Sequence, residues 1–152
     1  MTQRLDHNAA APDGMKALGG VYGYVSQSGL DKQMVDLVYL RVSLINGCAF
    51  CIDMHSRDLL KSGVPVEKLV LVPVWHEAPE LFSTREKAAL AWAETVTRVA
   101  ETAVPYTAFQ AASAEFSQKE LTDLTIAIGL MNTYNRLAIS FRATPEAVRK
   151  AA

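Results

Sequence analysis

Apolar residues along this chain recur every three or four positions, and nowhere do they alternate as they would on a strand. Met34, Leu37, Val38, Val42 and Ile45 fall on one side of a 3.6-residue period. They predict a helix that begins at Asp31, whose carboxylate suits an N-cap, and carries its apolar stripe inward. Asn46-Gly47 then interrupts the pattern, because glycine readily takes the backbone angles that end one helix and let another begin. A second helical pattern runs from Cys48 to Lys61 with Phe50, Met54, Leu59 and Leu60, and Gly63 supplies its stop. Upstream, Pro12-Asp13 opens a helix to about Gln27, with Met15, Leu18, Val21, Tyr22 and Val25 on its apolar side. Residues 1–11 read as an irregular lead or short arm.

The remainder continues in the same mode. Pro65 opens a short helix through Glu67 to Leu71, and Pro73 with the WHEAPEL segment makes a bent connection. Ser83-x-x-Glu86 and Ser117-x-x-Glu120 are capping boxes, in which each side chain satisfies a free N–H of the other residue. The first starts a helix through Ala88, Leu90, Ala91, Trp92 and Val96; the second starts a long apolar helix to about Arg142. Between them, after Pro105, Tyr106 to Phe116 forms another, and Pro145 begins a short terminal helix. With no linker, repeat or low-complexity run, residues 1–152 are expected to form one all-α domain.

Composition narrows the function more than the fold. Half of the 152 residues are hydrophobic, enough for a real core and too many for general disorder. A formal net charge of −1 gives no electrostatic basis for binding nucleic acid or an anionic membrane. The N-terminus lacks the apolar core of a signal peptide. The most apolar stretch, Leu121 to Phe141, contains Asp123, Asn132, Asn135 and Arg136, which suits a buried helix better than a membrane span. A reducing cytoplasm is the expected setting, where a lone dithiol can cycle.

That dithiol is Cys48 and Cys51, the only two cysteines of the chain. Cys-x-x-Cys of this kind reads first as a redox pair and second as half of a metal site. Cys48 lies at or before the first turn of its helix and Cys51 one turn on, so the two share a face and modest adjustment of that turn can bridge them. Unpaired N–H groups at a helix N-terminus favour thiolate. His55, four residues beyond Cys51 and on the same face, is placed to take a proton. A zinc site drawing on Cys48, Cys51, His55 and Asp36, or a pair of inert buried thiols, are the competing readings. Trp75 and Trp92 are assigned to packing, and His7 and His76 to surface or connection. Asn132, Asn135 and Arg136 must find hydrogen-bond partners, either beside the site or across an interface.

An acidic residue, then Cys-x-x-Cys twelve positions on, then His four after the second Cys resembles the redox branch of the AhpD-like, or carboxymuconolactone decarboxylase, superfamily. Here those residues are Asp36, Cys48, Cys51 and His55. The likeness continues through LRVSLINGCAFCIDMHSRDLLKSGV, VWHEAPELFSTREKAALAWAETVT and MNTYNRLAISFR, although Asp36 stands where the family usually has Glu. The resemblance implies an AhpD-like helical bundle and a thiol-dependent alkylhydroperoxidase with no cofactor or metal. It implies Cys51 as the thiol that attacks an organic hydroperoxide and Cys48 as the one that closes the disulfide. His55 and Asp36 would move the proton, and a lipoyl-type or protein dithiol would be the reductant. It also implies a homo-oligomer, trimeric or hexameric. A disulfide exchange protein serving a protein partner, or a non-catalytic zinc-binding or interaction module, are the alternatives.

Overall fold

The computed structural model describes residues 2–151, and among them every regular element is helical. In chain order these are α1 (His7–Ala10), α2 (Pro12–Ser26), α3 (Lys32–Asn46), α4 (Ala49–Lys61), α5 (Val66–Leu71), α6 (Thr84–Thr97), α7 (Val99–Thr102), α8 (Tyr106–Ser113), α9 (Gln118–Phe141) and α10 (Glu146–Ala151). The bent connection resolves into two 3₁₀ segments, Val72–Glu77 and Pro79–Leu81. No helix of the described residues is long and apolar enough to cross a membrane.

Helix α3 is the centre, because its sequence is apolar on more than one side. Val38 and Val42 face Leu124 and Ile128 of α9 and Ala89 and Ala93 of α6. Leu37 and Leu40 face the other way, onto Leu59 of α4, Val72, Trp75 and Leu90. Each fully buried side chain of this size stabilises the fold by about 1.5–3 kcal/mol relative to exposure. Small residues at the α6 contact let that helix approach α3 closely. A long, doubly buried helix is thereby held rigid from both sides, and it carries Asp36, Tyr39 and Ser43 on the same few turns.

Local signals set the helix ends as expected. The Asp31 carboxylate accepts from Met34 N–H at 2.8 Å, and both capping boxes form. Gly47 takes φ +70°, a left-handed conformation that reverses the chain after α3 at little steric cost and begins α4.

Three features depart from the sequence reading. The lead contains a helical turn, α1, because the Asp6 side chain accepts from Asn8 and Ala9 N–H and caps it. Helix α2 buries only Val25, with Val21 and Tyr22 37% and 44% exposed. Its other apolar side chains do not reach the core because α2 packs chiefly on α9 and α1, at the edge of the bundle. Helix α7 has no capping side chain to announce it in the sequence, and it ends in two consecutive left-handed residues, Ala103 (φ +49°) and Val104 (φ +46°).

Candidate active site

The turn at Gly47 leaves Cys48 extended (φ −84°, ψ 92°) as the N-cap of α4, a place usually taken by Ser, Thr, Asp or Asn. Its sulfur does the work of a capping oxygen, accepting the Cys51 N–H at 3.4 Å. Cys51 sits one turn further on, close enough for its thiol to perturb the acidity of Cys48. The two cysteines are unbridged and almost wholly buried.

This arrangement splits the two acidities. The Cys51 thiol, and then the Cys51 and Phe50 N–H groups and the Asn135 amide, hold the Cys48 thiol below its ordinary value against the opposing effect of burial. The Cys51 thiol is pushed up, first by the neighbouring Cys48 thiol and then by burial. The first proton lost from the pair therefore leaves its charge mainly on Cys48. Two interacting thiols titrate as a unit, so Cys51 gains nucleophilic character by passing its proton across to its neighbour.

His55 is buried, and burial pulls its pKa down to about 4, with Asp36 opposing the shift. Near neutral pH it is an uncharged imidazole. Its Nε2 has no hydrogen-bond partner, and neither does the nearby Tyr39 hydroxyl. The two rings lie 5.3 Å apart. Asp36 is buried as well, and its carboxylate is held by Lys32 Nζ at 2.6 Å. Asp36 thus points its charge at an otherwise exposed lysine and not directly at a thiol.

Cys51, His55 and Asp36 line one cavity of about 650 Å³, together with Phe50, Met54, Met131 and Tyr134. Cys48 does not line it. It borders a separate cavity of about 250 Å³ beside Gly47, Ala138, Arg142 and Pro145. Three of the four expected residues therefore share one space, with the fourth directly behind Cys51. Among the described residues no three of His, Cys, Asp and Glu converge as a metal site.

The polar residues of α9 supply what the spacing of the motif did not reveal. Asn46 Nδ2 donates to Asn132 Oδ1 and to Asn135 Oδ1, both at 2.9 Å. Asn132 spends its own amide on the Ile128 carbonyl and Thr97. With its oxygen taken, Asn135 directs its amide nitrogen to Ser43 Oγ (3.1 Å) and Met131 Sδ (3.5 Å). Both its amide and the Ser43 hydroxyl favour ionisation of Cys51. The signal for this was present as polar residues on an apolar helix, but only the packing of α9 on α3 places them at the sulfurs. Trp75 and Trp92 pack in the core, as expected, with Trp75 Nε1 donating to Glu94. His76 is mostly exposed. His7 corrects the surface assignment: it is half-buried and borders the Cys51 cavity.

An all-α fold with a dithiol at the start of a helix, and a histidine one turn on, defines a class. Residues 12–95 match the carboxymuconolactone decarboxylase family, and the chain belongs to that family, in its AhpD-like form. Among its relatives, the uncharacterized protein YdfG of Bacillus subtilis is 34% identical over 140 residues, spanning 92% of this chain and 95% of YdfG. The alkyl hydroperoxide reductase AhpD of Coxiella burnetii is 46% identical over 39 residues, only 26% of this chain and 22% of AhpD. A crystal structure from Agrobacterium tumefaciens superposes with TM-score 0.91 at 40% identity, covering 95% of this chain and 98% of that one. It is described as a protein of unknown function and a candidate antioxidant defence protein AhpD.

Proposed function

We propose that the protein is a thiol-dependent alkylhydroperoxidase that reduces organic hydroperoxides through a Cys48–Cys51 dithiol/disulfide cycle. The observation that carries this reading is that Cys51 and His55 open on one cavity while the Cys48 sulfur stands behind Cys51 in hydrogen-bond contact. One thiol meets the substrate, and the other waits within reach of the product.

The cycle runs as follows. Cys51 attacks the terminal oxygen of the hydroperoxide, the O–O bond breaks, and Cys51 becomes a sulfenic acid. Its thiol proton passes to neutral His55 or to the Cys48 thiolate, and whichever group takes it passes it on to the departing alkoxide. Protonated His55, with a pKa near 4, is a strong enough acid to hand a proton at once to the departing alkoxide. Asp36, through its charge, assists the transient imidazolium. Cys48 then attacks the Cys51 sulfur, the disulfide forms, and water leaves. A lipoyl-type or protein dithiol reduces the disulfide and is itself oxidised. The Asn135 amide and Ser43 hydroxyl stabilise negative charge on the sulfurs in place of a cation. The chain is further proposed to work as a homo-oligomer, trimeric or hexameric; Leu60 of α4, Val66 and Val70 of α5, and Val74 of the following 3₁₀ segment are exposed apolar side chains that such contacts would cover.

Mass spectrometry after one equivalent of cumene hydroperoxide tests the reading. A Cys48–Cys51 bond is expected in the wild type, a trapped Cys51 sulfenic acid in Cys48→Ser, and no hydroperoxide consumption in Cys51→Ser. Normal thiol-dependent turnover by Cys51→Ser would overturn the assignment.

A further inference from the structure

The outer side of the Cys51 cavity is built by the N-terminal arm, which no part of the thiol motif predicts. Gln3, Asp6, His7 and Asn8 line that cavity together with Cys51. A helix of four residues cannot hold itself in place, since nucleation costs more than one turn returns. What fixes the arm is the end of α9. The last carbonyls of any helix lack intrahelical partners, and here two of them take their donors from Arg4. Its backbone N–H donates to Phe141 O at 2.9 Å and its Nη1 to Ser140 O at 3.1 Å. The His7 ring stacks on Phe141 with centroids 5.9 Å apart. The rest of the lining mixes charged side chains, Lys32, Asp36, Asp58 and Arg149, with apolar ones that include Met54 and Met131, flexible side chains that adapt to a varied partner. The cavity's volume, about 650 Å³, lies within the range of small-molecule sites, roughly 300–1,000 Å³. It is many times the roughly 30 Å³ share of a water-sized molecule.

We propose that this arm is a specificity-determining wall of the cavity, one that sets how large a carbon body a hydroperoxide can bring to Cys51. The substrate class rests on the peroxidase reading above; the arm's role as a wall does not. Two variants of the full chain move the wall in opposite directions. Arg4→Pro removes both donors to α9 and frees the arm, whereas His7→Trp keeps an aromatic ring against Phe141 and adds bulk on the cavity side.

The test compares modification of Cys51 by N-cyclohexylmaleimide and by iodoacetamide, scored by peptide mass spectrometry in variants whose melting temperature shows them folded. Relative to wild type, the bulky-to-small rate ratio should rise several-fold in Arg4→Pro and fall about tenfold in His7→Trp, the scale on which a pocket discriminates by steric fit. In parallel, the kcat/KM ratio for cumene hydroperoxide over hydrogen peroxide should fall about tenfold in His7→Trp. Alkylation ratios that stay at the wild-type value in both folded variants overturn the wall. A wild type that consumes neither hydroperoxide, while its alkylation ratio still follows the arm, overturns the peroxidase reading and the substrate class and leaves the wall standing.

Discussion

At Cys48 and Cys51 the same side-chain chemistry meets two environments one helical turn apart. The Cys48 thiol is held below its ordinary value first by the Cys51 thiol and then by backbone N–H groups and the Asn135 amide, so its negative charge is favoured without a nearby cation. The Asn135 amide is the donor whose orientation is fixed from a distance, through the Asn46 bond to its oxygen. Asn135→Leu should therefore raise the apparent pKa of the first thiol to ionise by about one unit, roughly 1.4 kcal/mol of lost preference for the thiolate. Asn46→Ala, which releases the amide without removing it, should shift it the same way by less. The pH profile of iodoacetamide modification reads both, and an unchanged profile in folded Asn135→Leu would remove the amide from the account. The motif made Cys48, Cys51, His55 and Asp36 legible as a group, because helical spacing alone puts three of them on one face. It did not make legible that Asp36 is bound to Lys32, although their spacing of four on α3 allowed it, nor that Cys48 and Cys51 border different cavities. Those facts depend on which neighbour packs where.

At the scale of elements, helices with strong end signals were readable and those without were not. Asp31, Ser83 and Ser117 each cap the helix that follows, as their side-chain chemistry requires. The short α7 escaped notice because no side chain caps its start, and its end is imposed by the chain's route toward Pro105. Ala103, exposed at that end, sits at φ +49°. A left-handed conformation costs a residue with a Cβ about 1–2 kcal/mol, whereas glycine gives back about 0.5–1 kcal/mol of extra chain entropy. Ala103→Gly should thus be neutral to stabilising, by up to about 1 kcal/mol, where the same change within an exposed helix would destabilise. Urea unfolding of the variant beside wild type checks the sign; a clear loss of stability would show that the strain is not relieved there. The apolar side of the early helix α2 is legible, but its destination is not: much of it borders the cavity or solvent, since Met15 and Tyr22 are cavity residues.

For the whole molecule, the buried imidazole ties acid stability to the candidate site. His55 has an ordinary pKa of 6.5 and is lowered to about 4 in the fold, chiefly by burial. Between those two values the unfolded chain binds a proton at this position and the folded chain does not, so folding stability must fall as the pH falls. The contribution of neutral His55 is fully present above pH 6.5, is lost progressively on the way down to about 4, and changes no further below that. Its full size is on the order of 3 kcal/mol, a large part of the net stability of an ordinary domain. His55→Gln keeps a polar side chain of similar length but removes the titration. The difference in unfolding free energy between wild type and this variant should then vary with pH across that window and level off on both sides. Carboxylates shared by the two proteins cancel in the comparison, so a difference independent of pH would mean that His55 titrates in the folded protein as it does in the unfolded chain. The same experiment bears on the proposed cycle. An imidazole held neutral by burial can receive a proton only transiently, which suits a relay between Cys51 and a departing alkoxide and does not suit a permanent cationic partner for the thiolate.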